Sequence, residues 1–134
     1  MSKFESAETP RELIGRMLSS VFAAPTPARG VEQLEKIFER DIRLYVDGQE
    51  FDWNWLEEHV RESYVRLRDV TIEVTQAVRD ENVLMTRHMP TATACDTGHD
   101  WKIEVMGAYE LSAQNKFSRI WELTRMHLGE YSHW

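Results

Sequence analysis

The chain has 134 residues, 42% hydrophobic and 29% charged, with four prolines, six glycines and five tryptophans, which fits one domain over 1–134 with material for a sizeable core. A net charge of −7 opposes non-specific attraction to nucleic acid or anionic lipid, and no apolar run is long enough to span a membrane. Cys95 is the only cysteine, so no intrachain disulfide forms, and Met1–Glu8 lacks the apolar core of a secretory signal; the expected location is cytoplasmic.

Thr9-Pro10-Arg11-Glu12 combines a cap, a first-turn proline and a capping-box glutamate, and Leu13, Ile14, Met17, Leu18, Val21 and Phe22 follow at helical spacing, predicting a helix over about 10–23. Ala24-Pro25-Thr26-Pro27 stops it. A second, shorter helix carries Val31, Leu34, Ile37 and Phe38, and ends at Asp41. Ile42–Val46 reads as a strand and Asp47-Gly48 as a turn. Asp52 or Asn54 caps a third helix over about 53–67, with Leu56, Val60, Tyr64 and Leu67 inward and Glu57–Arg61 and Glu62–Arg66 paired on its solvent side.

From Asp69 onward the chain reads as strands. Val70, Ile72, Val74 and Val78 alternate with polar residues, and Arg79–Asn82 turns. A strand returns over Val83 to about Cys95, with Pro90 suggesting a bulge or an edge. After a turn at 96–100, Trp101, Ile103, Val105, Tyr109 and Leu111 share one face of the next strand. The last strand, 116–126, has Phe117, Trp121 and Leu123 on one face and Ile120, Glu122, Thr124 and Met126 on the other. Apolar residues on both faces imply that both are covered. Helices first and strands later make the fold α+β, one curved antiparallel sheet packed on its helices.

This order, with Asp41-Ile-Arg-Leu-Tyr-Val-Asp-Gly48 and Asn115-Lys-Phe-Ser-Arg-Ile-Trp-Glu122, resembles the nuclear transport factor 2-like superfamily, in particular its SnoaL-like (polyketide cyclase-like) branch. The resemblance covers nearly the whole chain, through loose motifs. It implies a cone-shaped half-barrel with a mixed or antiparallel sheet around the helices, an internal pocket, and a dimer through the outer sheet face. The branch histidines of the first and last strands stand here as Tyr45 and Ile120. Helix one has no tyrosine, the second acid of the isomerase-type site aligns near Gly107, and the first aligns near Val46 or Asp47. No complete catalytic set carries over.

With Val70, Ile72, Val74 and Val78 inward, strand parity puts Val83, Met85, Arg87 and Met89 inward too, together with Trp101 through Leu111 at odd positions. The resemblance places Ile120, Glu122 and Thr124 inside and Trp121 outside. Tyr109, Arg87 and Glu122 then converge on the cavity. A buried arginine needs a partner. Arg87 either binds a substrate oxygen while Glu122 moves a proton, or the two form a satisfied ion pair.

Asp47 is either a base at the rim, with Tyr45 donating to an oxyanion, or a turn former. His88 reaches the cavity only if that parity fails or a bulge near Pro90 re-aims it. His59, at the apolar border of helix three, is either a proton carrier or a packed histidine. Trp53, Trp55 and Tyr64 line the cavity mouth or fill the core. Outward Trp121, Leu123, Met106 and Ala108 form either a homodimer interface or a patch covered by Glu130–Trp134. The histidines, Cys95 and carboxylates show no metal-ligand spacing, and there is no Ser-His-Asp triad, phosphate loop or dinucleotide fingerprint.

The expected activity is cofactor-independent proton transfer on a small, largely apolar carbonyl compound, of cyclase, isomerase or dehydratase type, by Glu122 or Asp47 with Arg87, Tyr45 or Tyr109 on the oxygen. The alternative is a binding or dimerisation domain without chemistry. Neither needs a cofactor, metal, nucleic acid or membrane.

Overall fold

The computed structural model describes residues 8–129; the Glu130–Trp134 tail and His133 lie outside them. Helix α1 spans Pro10–Phe22, and its capping box is formed: Thr9 Oγ1 accepts from the Glu12 amide, and Glu12 Oε1 accepts from the Thr9 amide, both at 3.1 Å. Helix α2, Pro27–Ile37, is capped by Thr26. Phe38 does not belong to it. That residue opens strand β1, Phe38–Val46, four residues earlier than the sequence reading placed the strand. A short strand β2, Gln49–Phe51, pairs back on β1 and was not anticipated. Helix α3, Trp53–Arg66, is capped by Asp52 and carries the two expected surface ion pairs.

Four long strands follow: β3 Leu67–Asp80, β4 Val83–Ala94, β5 Asp100–Leu111 and β6 Phe117–Leu128. The six-stranded sheet has the order β2-β1-β6-β5-β4-β3, with β1 parallel to β6 and every other pair antiparallel. The resulting α+β fold is a curved sheet wrapped around the helices. One buried cluster joins Ile14, Leu18 and Val21 of α1, Leu56 and Val60 of α3, and Trp101, Ile103, Val105 and Tyr109 of β5.

Strand β3 carries an extra residue at Thr75, where the register with β4 shifts between Val74 and Gln76. Such a bulge exchanges the faces of everything beyond it. Ile72 and Val74 face the helices, but Val78 is 64% exposed on the outer face with its partner Met85. Arg87 goes outward with Met85, and His88 inward. Arg11 of α1 donates to the Val74 carbonyl at 3.1 Å, and Thr75 Oγ1 donates to the Arg87 carbonyl at 2.9 Å, so polar groups at the bulge are satisfied.

Another bulge, at Ser118 of β6, turns Phe117 into the core opposite Leu111 and away from the Trp121 face on which the sequence reading placed it. Pro90 marks neither a bulge nor an edge. It sits buried in the interior strand β4, where pairing with β5 pauses between His88 and Thr91 without a change of register, because proline has no N–H to give.

Candidate active site

Strands β5 and β6 pair so that Tyr109 lies opposite Ile120, Gly107 opposite Glu122 and Val105 opposite Thr124. All six face the helices, as expected for these two strands. Gly107 carries no side chain, and the Tyr109 ring folds over it: a Cβ there would lie 2.6 Å from the ring. This close approach lets the Tyr109 hydroxyl donate to Glu122 Oε2 in a short hydrogen bond. The phenol is fully buried. Glu122 as a residue is partly exposed because it also borders the outer face, but its carboxyl lies on the inner side against Tyr109.

Loss of water raises the Glu122 carboxyl to a pKa of about 7; the Tyr109 bond works against that rise, and the negative charge of Asp47 adds to it. Burial, followed by the adjacent carboxylate, pushes the Tyr109 hydroxyl well above its ordinary range. No hydrogen bond reaches Glu122 Oε1 from the described residues.

Glu122 and Tyr109 border a small internal cavity with Leu18 and Phe22 of α1, Phe38 and Leu44 of β1, and Trp55, Leu56 and His59 of α3. Its volume is about 20 Å³, room for about one water molecule. An aromatic stack stands over it. Phe51 and Trp55 lie 4.0 Å apart, Trp55 and His59 lie 4.6 Å apart, and the His59 ring meets Phe22 edge-on. The stack holds His59 on the wall of the cavity that Glu122 also borders.

Other expected site residues lie elsewhere. Arg87 does not meet Glu122, because the β3 bulge sends it to the outer face. There its Nε lies 2.6 Å from Glu104 Oε2 and its Nη1 donates to Thr75 at 3.0 Å. Glu104 also receives Arg125 and His127, each at 3.1 Å, and these donors, with His127 and Arg87 leading, hold its carboxyl down at about 2. Tyr45 stacks on Trp121 at 5.6 Å on the outer face and cannot serve the cavity.

Tyr64 ties α3 to the end of α1: its hydroxyl donates to the Val21 carbonyl at 2.5 Å and accepts from the Ala24 amide at 3.0 Å. Trp53 is core, 7% exposed, with the Arg40 guanidinium 4.6 Å from its ring centre; Trp55, two residues further along α3, reaches the cavity instead. Asp47 is a turn residue with φ +49°. It accepts from the Thr124 amide at 2.8 Å and from the Thr124 hydroxyl at 2.5 Å, which extends the β1–β6 pairing and commits both side chains to each other. His88 is inward and wholly buried, behind Tyr109 and away from the cavity wall.

Sequence reasoning missed Gly107 as the seat of the Tyr109 ring, and Thr86, whose hydroxyl lies 3.1 Å from His88 Nδ1. The available signal was the spacing Val74-Thr75-Gln76-Ala77, where two polar residues in succession break the alternation and announce the bulge. Among the described residues, no cluster of three or more histidines, cysteines or carboxylates could hold a metal ion, and no helix is long and apolar enough to cross a membrane.

No family model matches the sequence, and no curated protein matches it. The fold nonetheless matches many solved structures. An NTF2-like protein of unknown function from Exiguobacterium sp. 255-15 superposes with a TM-score of 0.70 at 18% identity, over 84% of this chain and 98% of that one. A SnoaL-like polyketide cyclase from Agrobacterium tumefaciens str. C58 gives 0.67 at 16% identity, over 89% and 93%. AclR of Streptomyces galilaeus, a candidate hydroxylase, gives 0.68 at 16% identity, over 82% and 86%. The chain therefore has the cone-shaped fold of the nuclear transport factor 2-like superfamily, SnoaL-like proteins included.

Proposed function

We propose that the chain catalyses cofactor-independent proton transfer on a small, largely apolar carbonyl compound, with Glu122 as the proton carrier. The observation that supports this most is the Tyr109–Glu122 pair. A carboxyl at about 7 is matched to removing and returning a proton near neutral pH, and a phenol locks one of its oxygens in place. Oε1 is left for the substrate. Glu122 takes a proton from the carbon beside the carbonyl, the electron pair moves onto the carbonyl oxygen, and a ring nitrogen of His59 holds that oxyanion. Returning the proton to another carbon makes an isomerase. Attack of the enolate carbon on a second carbonyl of the same molecule, whose oxygen takes up the electron pair and then the proton held by Glu122, makes a cyclase, the activity named for the Agrobacterium protein of the same fold.

A one-water cavity does not hold a ring compound. Substrate enters as the Phe51 and Trp55 rings swing outward while His59 stays on the cavity wall, and its apolar body takes the place of their packing. The test is α-proton exchange. A panel of small cyclic ketones in deuterated water, followed by proton NMR, shows catalysed loss of the α-proton signals with the native chain. Glu122→Gln abolishes exchange while leaving ketone affinity nearly intact. Unchanged exchange in that variant contradicts the reading.

A second reading, binding or assembly without chemistry, has its own observation. Val78, Met85, Met106, Trp121 and Leu123 are 64, 58, 55, 41 and 68% exposed and form one apolar stripe on the outer sheet face, beside a groove of about 540 Å³. A second copy of the chain would cover this stripe. Sedimentation should give a dimer for the native chain and a monomer for Met106→Asp/Leu123→Asp; a native monomer at micromolar concentration rejects the interface.

A further inference from the structure

We propose that His88 is a positioning residue: by donating from Nδ1 to Thr86 it fixes a one-way line of hydrogen bonds, His88 to Thr86 to Tyr109 to Glu122, which keeps the phenol proton aimed at the carboxylate. The line follows from counting protons. Tyr109 has one, and it goes to Glu122 Oε2. The Tyr109 oxygen is left as an acceptor, and Thr86, which stands opposite Gly107 in the β4–β5 register beside the folded Tyr109 ring, offers its hydroxyl as the donor. That uses the only proton Thr86 has, so its oxygen accepts from His88 Nδ1, 3.1 Å away. A neutral imidazole carries one N–H, so Nε2 is then bare.

The surroundings of His88 agree. Its Nε2 is buried and has no hydrogen-bond partner among the described residues, between strand neighbours Val74 and Val105. A buried N–H without an acceptor is rare, so the proton belongs on Nδ1. Burial also holds the imidazole neutral, with a pKa near 4. The line has a direction only in this tautomer. With Nδ1 bare, Thr86 would turn its proton toward the imidazole and leave the Tyr109 oxygen unserved.

The effect should be read on Glu122. Aligned hydrogen bonds polarise one another by roughly a tenth to a third per bond, which lowers the carboxyl's pKa relative to an unsupported phenol. The groups facing Glu122 are Tyr109 from β5, Asp47 from the β1–β2 turn and His59 from α3, with Arg87 of β4 bordering the same outer groove, while α1 presents only Leu18 and Phe22. A change at His88 or Thr86 replaces none of these groups and reaches Glu122 through Tyr109 alone. The proposal rests on the Glu122 site described above, but its readout is a titration and needs no turnover.

The experiment uses the full chain labelled with 15N-histidine and carboxyl-13C-glutamate. The expected native His88 has a protonated Nδ1 and a bare Nε2. His88→Leu and Thr86→Val should each raise the Glu122 midpoint by on the order of half a unit, the double variant no further, and His88→Asn should restore the native value through its amide N–H. A protonated Nε2, or a Glu122 midpoint unmoved in Thr86→Val, overturns the proposal; the latter still decides if His88→Leu does not fold. A fully active Glu122→Gln with these shifts intact overturns the proton-transfer reading alone.

Discussion

The ring of Tyr109 occupies the space that a side chain on Gly107 would need, with the ring edge 2.6 Å from where a Cβ would stand. The glycine is not serving a turn, since its backbone is ordinary strand. It serves as a seat. Gly107→Ala should push the ring off Glu122, cost about 1–3 kcal/mol as an overpacked core does, and lower α-proton exchange with it. Thermal unfolding and exchange rates check this. An alanine variant with native stability and native activity would show that the ring does not depend on that space.

The raised Glu122 pKa makes a signed prediction about stability. An unfolded glutamate titrates near 4.5 and this one at about 7, so the folded chain binds more protons between those values. Stability attached to this group is full below about pH 4.5 and falls as pH rises through about 7, by about 3 kcal/mol in all. Glu122→Gln removes that slope, and at pH 8 it should be more stable than the native chain. Urea unfolding across this pH range measures it.

Glu104 behaves with the opposite sign. Its folded pKa is about 2, so its contribution is present above about pH 4.5 and is lost as pH falls toward 2. Glu104→Gln should weaken the chain at neutral pH and flatten its acid unfolding limb. Arg87→Met should also lower stability, yet leave α-proton exchange at the native rate, since Arg87 is paired with Glu104 on the outer face while the Glu122 carboxyl is turned inward to Tyr109.

Tyr64 has a structural task with a measurable size. Tyr64→Phe strands the Val21 carbonyl and the Ala24 amide, and should cost about 1–3 kcal/mol with exchange unchanged. A loss of exchange at full stability would instead place Tyr64 in the site.

The fold was legible because its signals are local. The capping box at Thr9, the prolines that stop α1, and the strict alternation from Trp101 to Leu111 each act within a few residues. The faces of β5 and β6 followed, and with them Tyr109, Ile120, Glu122 and Thr124. The site was legible only that far. One inserted residue, Thr75, reversed the faces of the end of β3 and of Met85 and Arg87 on β4, and exchanged Arg87 for His88. No periodicity could show that Asp47 spends both its oxygens on Thr124, because that contact joins residues 77 positions apart. The seat at Gly107 is equally silent, since an absent side chain leaves no pattern.

The proposed chemistry turns on one carboxyl. Carbon-13 NMR of the Glu122 side chain, titrated from pH 4 to 9 in the native protein, measures it directly. The account predicts a midpoint near 7, rising or falling with changes at Tyr109, Thr86 and His88. A midpoint near 4.5 would mean a solvated glutamate, and would contradict its role as the proton carrier.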